Sequence, residues 1–228
     1  GTTEWQNDGN VSIDSRLNYF GRVMYNFKET YLLQFSLRRD GSLRFSKESG
    51  RWGTFPSLLV GWRISNENFW KNNVKFIDYF KLKASFGQMG NDRVDAFQYL
   101  TKYAFATGHV FGPGKLYSSG LQQDGTPNPA ITWERANVVN VGFESAFLDS
   151  KLTLNADLFY QRRTDILVTR NASVPNFTGI SLPDENFGIV DNRGFEIESG
   201  YADRKGSFSY SINGNIAFAR NKVVEFDE

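Results

Sequence analysis

Apolar and polar residues alternate along most of this chain with a period of two. From Tyr31 the odd positions read Tyr31, Leu33, Phe35 and Leu37, while the even positions after Leu32 read Gln34, Ser36 and Arg38. From Leu152 the even positions read Leu152, Leu154, Ala156, Leu158 and Tyr160, and Thr153, Asn155, Asp157, Phe159 and Gln161 lie between them. From Phe208 the apolar set is Phe208, Tyr210, Ile212, Ile216 and Phe218, opposite Ser209, Ser211, Asn213 and Asn215. A period of two puts neighbouring side chains on opposite faces of a β-strand. Five further segments follow suit. Leu17, Tyr19, Val23, Tyr25 and Phe27 share one face of a first strand, and Leu58, Val60, Trp62 and Ile64 oppose Ser57, Gly61 and Arg63. Phe80, Leu82, Ala84 and Phe86 oppose Lys81, Lys83 and Ser85. Val139, Val141, Phe143 and Phe147 oppose Asn140, Gly142 and Glu144, and Phe195, Ile197 and Tyr201 oppose Glu196 and Glu198. The pattern predicts eight strands, at roughly 16–27, 31–39, 54–65, 79–88, 134–148, 151–167, 193–203 and 207–220.

These runs reach about 9–11 residues, beyond the usual ~5–6 and enough for a tilted strand to cross a bilayer. Alternation by itself fits two arrangements. In a membrane barrel the polar face looks into a watery lumen and the apolar face looks at lipid; in a soluble sheet the polar face looks at solvent. The connections add a second signal. Lys28-Glu29-Thr30, Asp149-Ser150 and Arg204-Lys205-Gly206 are short, whereas about 40–53, 89–133 and 168–192 are long and polar. The connection Asn66 to Asp78, with Phe69, Trp70 and Phe76, is of middle length and predicts a helical turn. Short turns at one end and long loops at the other are the habit of outer-membrane barrels. A loop as long as 89–133 is uncommon in a compact domain and is usually functional.

Composition sharpens this picture. Of 228 residues 16% are aromatic and 21 are glycine, and mean hydropathy is −0.45, which fits strands with one polar face better than a helical bundle. Aromatics gather near strand ends, at Tyr19, Phe20, Tyr25, Phe27, Tyr31, Trp62, Phe69, Trp70, Tyr79, Phe80, Trp133, Phe147, Phe159 and Tyr160. Rings with a polar tip suit the headgroup layer, although aromatics favour strands in general. The net charge of +1 gives no general pull on nucleic acid, and the absence of cysteine excludes disulfides, zinc-thiolate sites and a thiol nucleophile. No window holds ~18 consecutive apolar residues, so no transmembrane helix is expected. Gly1 to Asn10 lacks the pattern of a signal peptide, and the chain stops at Glu228 just after a strand-like run, so both ends read as cuts.

Catalytic chemistry is scarce, and neither an enzymatic activity nor a cofactor is expected. The single histidine, His109, lies in the long loop and reads as surface. Asp8 to Asp14 gathers oxygen ligands without full calcium-loop spacing. Asn91-Asp92-Arg93 reads as a turn that opens a loop. Glu196 with Glu198 reads as two carboxylates on one wet face, not as an acid–base pair. Asn171-Ala172-Ser173 and Asn176-Phe177-Thr178 match the glycosylation acceptor pattern, which is frequent by chance.

Particular strings then narrow the reading. Arg38-Arg39-Asp40-Gly41-Ser42-Leu43-Arg44-Phe45 leads to Trp52-Gly53-Thr54-Phe55-Pro56-Ser57 and Gly61-Trp62-Arg63-Ile64-Ser65. Leu82 to Asp92, Asn128-Pro129-Ala130-Ile131-Thr132-Trp133-Glu134 and Asn140-Val141-Gly142-Phe143-Glu144 come next. Leu158 to Leu167 and Asn192-Arg193-Gly194-Phe195-Glu196-Ile197-Glu198 complete the set. In this order, from about Leu17 to Ala219, the strings resemble the C-terminal barrel region of the SusC/RagA family of TonB-linked outer-membrane proteins of Bacteroidetes-type bacteria.

The resemblance implies an all-β fold: an antiparallel transmembrane β-barrel segment, about eight strands of a larger, 22-stranded barrel. It implies that residues 1–228 are a partial TonB-dependent receptor β-barrel, without plug domain, TonB box or signal peptide. The whole protein would import oligosaccharides or peptides across the bacterial outer membrane, with a SusD-type lipoprotein over its mouth and energy from the TonB complex. Its partners would be those proteins, its substrate and outer-membrane lipid, and not nucleic acid. Lys81, Lys83, Asn155, Asp157, Glu196, Glu198, Asn213 and Asn215 would face the lumen. Trp52, Tyr99, Tyr103, Phe105 and Tyr117 are loop aromatics for stacking on substrate rings or for packing under other loops, with packing the stronger expectation at each. Two other readings stand beside this one: a passive porin or adhesin barrel, and a soluble glycan-binding β-sandwich.

Overall fold

The computed structural model describes residues 13–48, 50–169 and 182–227. Eight strands form one antiparallel sheet in which every neighbour in space is also a neighbour in sequence, apart from one inserted hairpin. They are β1 (Arg16–Phe27), β2 (Tyr31–Ser42), β3 (Trp52–Trp62), β4 (Ile77–Asn91), β7 (Glu134–Phe147), β8 (Leu152–Thr169), β9 (Asp184–Lys205) and β10 (Phe208–Glu225). The insertion is a separate hairpin, β5 (Tyr103–Phe111) and β6 (Leu116–Gln123), between β4 and β7. A single helical turn (Ile64–Asn66) and α1 (Asn68–Asn73) join β3 to β4, as the sequence led us to expect.

All eight predicted strands are present. β1 and β10 are the two edges of the sheet and do not pair with each other. At one end the turns are tight. Lys28 and Glu29 have φ of 53° and 52°, and the Thr30 amide bonds the Phe27 carbonyl at 3.0 Å, which is the mirror-image turn that matches strand twist. Gly206 takes φ of 62° in the last hairpin.

Two regions differ from the sequence expectation. β9 starts at Asp184, not near residue 193, so much of the expected loop 168–192 is strand. Residues 184–192 of β9 carry no clean apolar–polar alternation, and they pair with β8 past Asp165, whose φ of 58° marks a bulge where the register slips around Ile166. Such a bulge shifts the alternation to the opposite parity. The hairpin β5–β6 lies within what read as a long loop. Its alternation is likewise broken, by a register slip between Ala106 and His109.

The register settles which residues share a face. One row across the sheet reads Tyr25, Leu33, Val60, Ala84, Val141, Leu158, Phe195 and Phe218. The next reads Phe27, Tyr31, Trp62, Leu82, Phe143, Ala156, Ile197 and Ile216. Every member is apolar or aromatic. No second sheet covers this face among the described residues, so the soluble sandwich does not form. Leu158 is 63% exposed and Val141 51%, whereas the side chains of Lys83 and Asp157 on the other face are 28% and 21% exposed. A water-soluble domain has the opposite distribution, since about 25 cal/mol is gained per Å² of apolar surface removed from water.

The buried core is small and sits at the long-loop end. Phe45, Phe55, Val94, Ile131 and Trp133 are each under 8% exposed, with Tyr99 and Leu167 packed on them. β3 and β4 stop pairing at Ser57 and Gly87, and beyond that point the Phe55 ring lies against Gly53 and Gly90, where any Cβ would collide. Trp133 therefore belongs to a loop core and not to an interfacial belt. Phe20 and Phe159 also leave that belt, because both stand on the polar face by register.

Candidate functional site

The eight residues expected to line a lumen fall on three adjacent rows of the polar face. Lys81, Glu144, Asn155, Glu198 and Asn215 form one row. Lys83, Gly142, Asp157, Glu196 and Ala217 form the second, and Thr153, Gly200 and Asn213 belong to the third. The Lys81 ammonium lies 2.6 Å from Glu144 Oε2. The Lys83 ammonium lies 3.6 Å from Glu144 Oε1 and 2.9 Å from Asp157 Oδ2. Lys83 and Asp157 are two strands apart, and they meet only because Gly142 stands between them. A Cβ at Gly142 would strike both Asp157 Oδ1 and the Ala156 carbonyl. Glu144 was absent from the sequence-derived set, although its place opposite Lys81 in the same alternation was the signal for it.

Glycine also shapes the neighbouring row. At Gly200 a Cβ would come within 2.7 Å of Asn213 Oδ1 and 2.9 Å of Thr153 Oγ1. Its absence leaves a hollow of about 310 Å³ lined by Thr153, Asn155, Glu198, Asn213 and Asn215. A larger groove of about 840 Å³ runs over β1 to β4, lined by Phe20, Arg22, Gln34, Ser36, Ser57 and Gln88 among others. Amides, hydroxyls, the rings of Phe20 and Phe55 and the arginines Arg22 and Arg38 line that groove, while the β4–β9 region carries both signs of charge. Such a surface offers hydrogen bonds and fixed charges to a polar solute. Among the described residues no group of three His, Asp or Glu side chains is placed to hold a metal ion.

The long-loop end is tied to the wall by Asn91, Asp92, Asn128 and Glu134 from the strings singled out in the sequence, together with Asn186 of β9. The Asn128 amide donates to the Asp184 carbonyl at 2.6 Å. Asn186 accepts from the Thr132 amide at 2.9 Å and donates to the carbonyls of Thr132 and Asp165 at 2.9 and 2.8 Å. Glu134 accepts from Asn91 Nδ2 at 2.6 Å and from the Leu167 amide at 3.2 Å. Asn91 also caps the turn it opens, accepting from the Arg93 amide at 3.1 Å. Asp92 pairs with Arg16 at 2.7 Å, and Arg44 pairs with Asp14 at 3.0 Å. Burial pushes the Asp92 carboxyl up, but hydrogen bonds from Arg16 and Ser42 and the charges of Arg16 and Arg44 outweigh it and hold it below the usual carboxylate range.

The loop aromatics separate into three groups. Trp52 is the first residue of β3, its ring packed over Gly41, where an added Cβ would meet it at 3.0 Å, and stacked on Tyr19 at 6.0 Å, so it is a strand residue. Tyr99 packs on the loop core. Tyr103, Phe105 and Tyr117 lie on the β5–β6 hairpin and are exposed by 64%, 85% and 64%. His109 sits in β5 opposite Ser118. Residues 8–12 of the candidate metal loop, and the acceptor patterns at Asn171 and Asn176, lie outside the described residues.

Over residues 2–227 the chain matches the family described as TonB dependent receptor-like, beta-barrel. It is 33% identical over 209 residues to TonB-dependent receptor P39 of Formosa agariphila, covering 90% of this chain and 19% of that protein. It is 32% identical over 214 residues to TonB-dependent receptor SusC of Bacteroides thetaiotaomicron, covering 92% of this chain and 21% of the relative. Its fold superposes on a chain of the RagAB peptide importer in the open-open state with a TM-score of 0.80 at 20% identity, over 92% of this chain and 22% of that one. The FrpB iron transporter of Neisseria meningitidis gives a TM-score of 0.52 at 16% identity, over 92% and 26%. The chain spans about a fifth of the length of the curated relatives it matches.

Proposed function

Because the chain belongs to the TonB-dependent receptor-like β-barrel family, we propose that it is barrel wall of an outer-membrane importer that takes up oligosaccharides or peptides. In this reading residues 1–228 are a stretch of wall, and the importer works with a SusD-type surface lipoprotein and draws energy through TonB. Lys81, Lys83, Asn155, Asp157, Glu196, Glu198, Asn213 and Asn215 face the lumen, and Glu144 joins them. Tyr103, Phe105 and Tyr117 stand at the loop end, where an arriving solute would meet them first.

One observation carries the reading: the apolar rows run without a break from β1 to β10, and in the middle of the sheet Leu33, Val60, Val141 and Leu158 are more exposed than Gln34, Gly61, Gly142 and Asp157 on the other face. That arrangement is stable when lipid covers the apolar face and water fills the other side. Likeness to SusC and to the RagAB importer supports the choice of an energised importer over a passive pore.

The faces are tested by single-cysteine labelling of the protein in outer membranes. A membrane-impermeant maleimide should label Glu198→Cys and Asn155→Cys and spare Leu158→Cys and Val141→Cys. Equal labelling of both sets would sink the wall assignment. Uptake of candidate oligosaccharides and peptides by cells, with and without a working TonB complex, tests the transport mode. Uptake indifferent to TonB would support the passive barrel instead.

A further inference from the structure

The connection between β3 and β4 folds outward over the rim of the apolar face. Two anchors fix it there. Glu67 Oε1 accepts hydrogen bonds from Tyr31 Oη at 2.6 Å and Trp62 Nε1 at 3.1 Å. Tyr31 and Trp62 are cross-strand partners in an apolar row. The Trp70 ring stacks on Phe80 at 5.3 Å and 6° between planes, and Phe80 in turn meets Phe143 at 5.8 Å. Phe80 and Phe143 both belong to the apolar face by alternation. A six-residue helix such as α1 cannot hold itself together in water, so these contacts fix its position.

What the segment turns away from the sheet is unusual for a short connection. Phe69 is 54% exposed and Phe76 70%, and Lys71, Asn72, Asn73 and Lys75 are exposed around them. Residues 68–76 contain two lysines and no carboxylate. Glu67, the carboxylate that precedes the segment, is taken by Tyr31 and Trp62, and Asp78 beyond it accepts from the Ser150 amide at 2.9 Å. Rings beside lysines, with no acidic residue, form the chemistry that settles at a phospholipid boundary: rings enter below the headgroups and ammonium groups reach the phosphates.

We propose that residues 68–76 form a membrane-interface foot, in which Phe69 and Phe76 insert into the headgroup–acyl boundary of the leaflet at the short-turn end and Lys71 and Lys75 bind lipid phosphates. The foot rests on the wall reading, since it is continuous with the apolar rows that lipid would cover. It limits vertical movement of the wall in the bilayer and gives this end a preference for anionic lipid.

Residues 1–228 contain no cysteine, so a nitroxide label in this stretch meets no competing thiol within it. Phe69→Cys and Phe76→Cys are labelled in the protein reconstituted into phospholipid bilayers, with Val60→Cys as a lipid-face control and Tyr117→Cys as a loop control. Collision rates are measured with oxygen, which concentrates in lipid, and with a water-soluble nickel chelate. Labels at 69 and 76 should favour oxygen, as Val60→Cys does. Labels that match Tyr117→Cys in nickel accessibility would overturn the foot. Labels shielded from both reagents would also overturn it, and would point to a protein partner. If Val60→Cys itself favours nickel, the wall reading has failed; if Val60→Cys behaves as lipid-facing and 69 and 76 do not, only the foot has failed. In bilayers that mix phosphatidylglycerol and phosphatidylcholine, Lys71→Gln and Lys75→Gln should each reduce preference for phosphatidylglycerol at the protein boundary by about fivefold. An unchanged preference would overturn the phosphate contact.

Discussion

An arginine scan along β8 tests the two faces with numbers the register supplies. On β9 the apolar-face positions run Arg193, Phe195, Ile197, Ser199, Tyr201 and Asp203, so charge appears at both ends of an uncharged stretch. Arg193 and Asp203 are ten residues apart, which is roughly 33 Å of strand. A tilt of about 40° turns that into about 25 Å along the membrane normal, the height of the apolar band of an outer-membrane barrel. Ile197 lies near the middle of this stretch, and Ala156 of β8 is its partner, with Phe143 on the other side. Ala156→Arg therefore places a charge near mid-membrane without a partner and should cost about 2–4 kcal/mol. Since 1.36 kcal/mol is a factor of ten, that is roughly a 30- to 1,000-fold shift toward the unfolded protein. Leu152 pairs with Tyr201, only two positions from Asp203, so Leu152→Arg should cost about 0–1 kcal/mol. Asn155 is adjacent to Ala156 but stands between Glu144 and Glu198, so Asn155→Arg should change stability by less than about 0.5 kcal/mol or improve it. Urea unfolding of the protein in phospholipid vesicles, followed by tryptophan emission and by heat-dependent gel mobility, gives all three values. Equal costs at Ala156 and Asn155, or no dependence on depth between Ala156 and Leu152, would refute the face assignment.

Other consequences are local. Gly142→Ala should cost about 1–3 kcal/mol, because its Cβ displaces Asp157 and opens the bridge to Lys83, and in a double-mutant cycle its cost should shrink when Asp157 is already alanine. Asn186→Ala leaves three backbone groups at the loop base without their partner, so limited proteolysis should cut residues 92–133 faster while the strands remain protected. The Asp92 carboxyl is held low in the fold, so its contribution is present above its unfolded value and is lost as pH falls through the lower folded one; amide exchange at Leu43 and Val94 should rise below roughly pH 4, and an unchanged rate down to pH 2 would count against the Arg16–Asp92–Arg44 link. Glu67 follows the same sign, because hydrogen bonds from Tyr31 and then Trp62 hold it below the usual carboxylate range; mobility of a label at residue 69 should increase over the same acid range and be insensitive to pH in Glu67→Gln.

The wall and its two faces were legible in the chain because a strand reports its exposure at every second residue. Leu152 to Leu158 and Leu33 to Leu37 alternate without interruption, and the tight turns lie where Lys28-Glu29 and Gly206 put them. The polar-face candidates came from the same alternation, and the register did no more than align them into rows. Where the period fails, the signal is lost: residues 184–192 of β9 do not alternate, and the slip at Ala106 to His109 hides the β5–β6 hairpin. Other features depend on distance through space, which no local pattern records. The meeting of Lys83 with Asp157 needs Gly142 on the strand between them. Phe45, Phe55 and Trp133 become one core only when loops after β2 and before β7 converge, and Asn186 becomes a loop tie only because β9 runs beside the Asp165 bulge. The outward fold of α1 was likewise undetermined until Glu67 met Tyr31 and Trp62. Alternation is a property of each strand alone, so the sequence determined the strands and their faces. Cross-strand bridges, loop packing and the placement of the connection join residues tens of positions apart, so only the assembled sheet decided them.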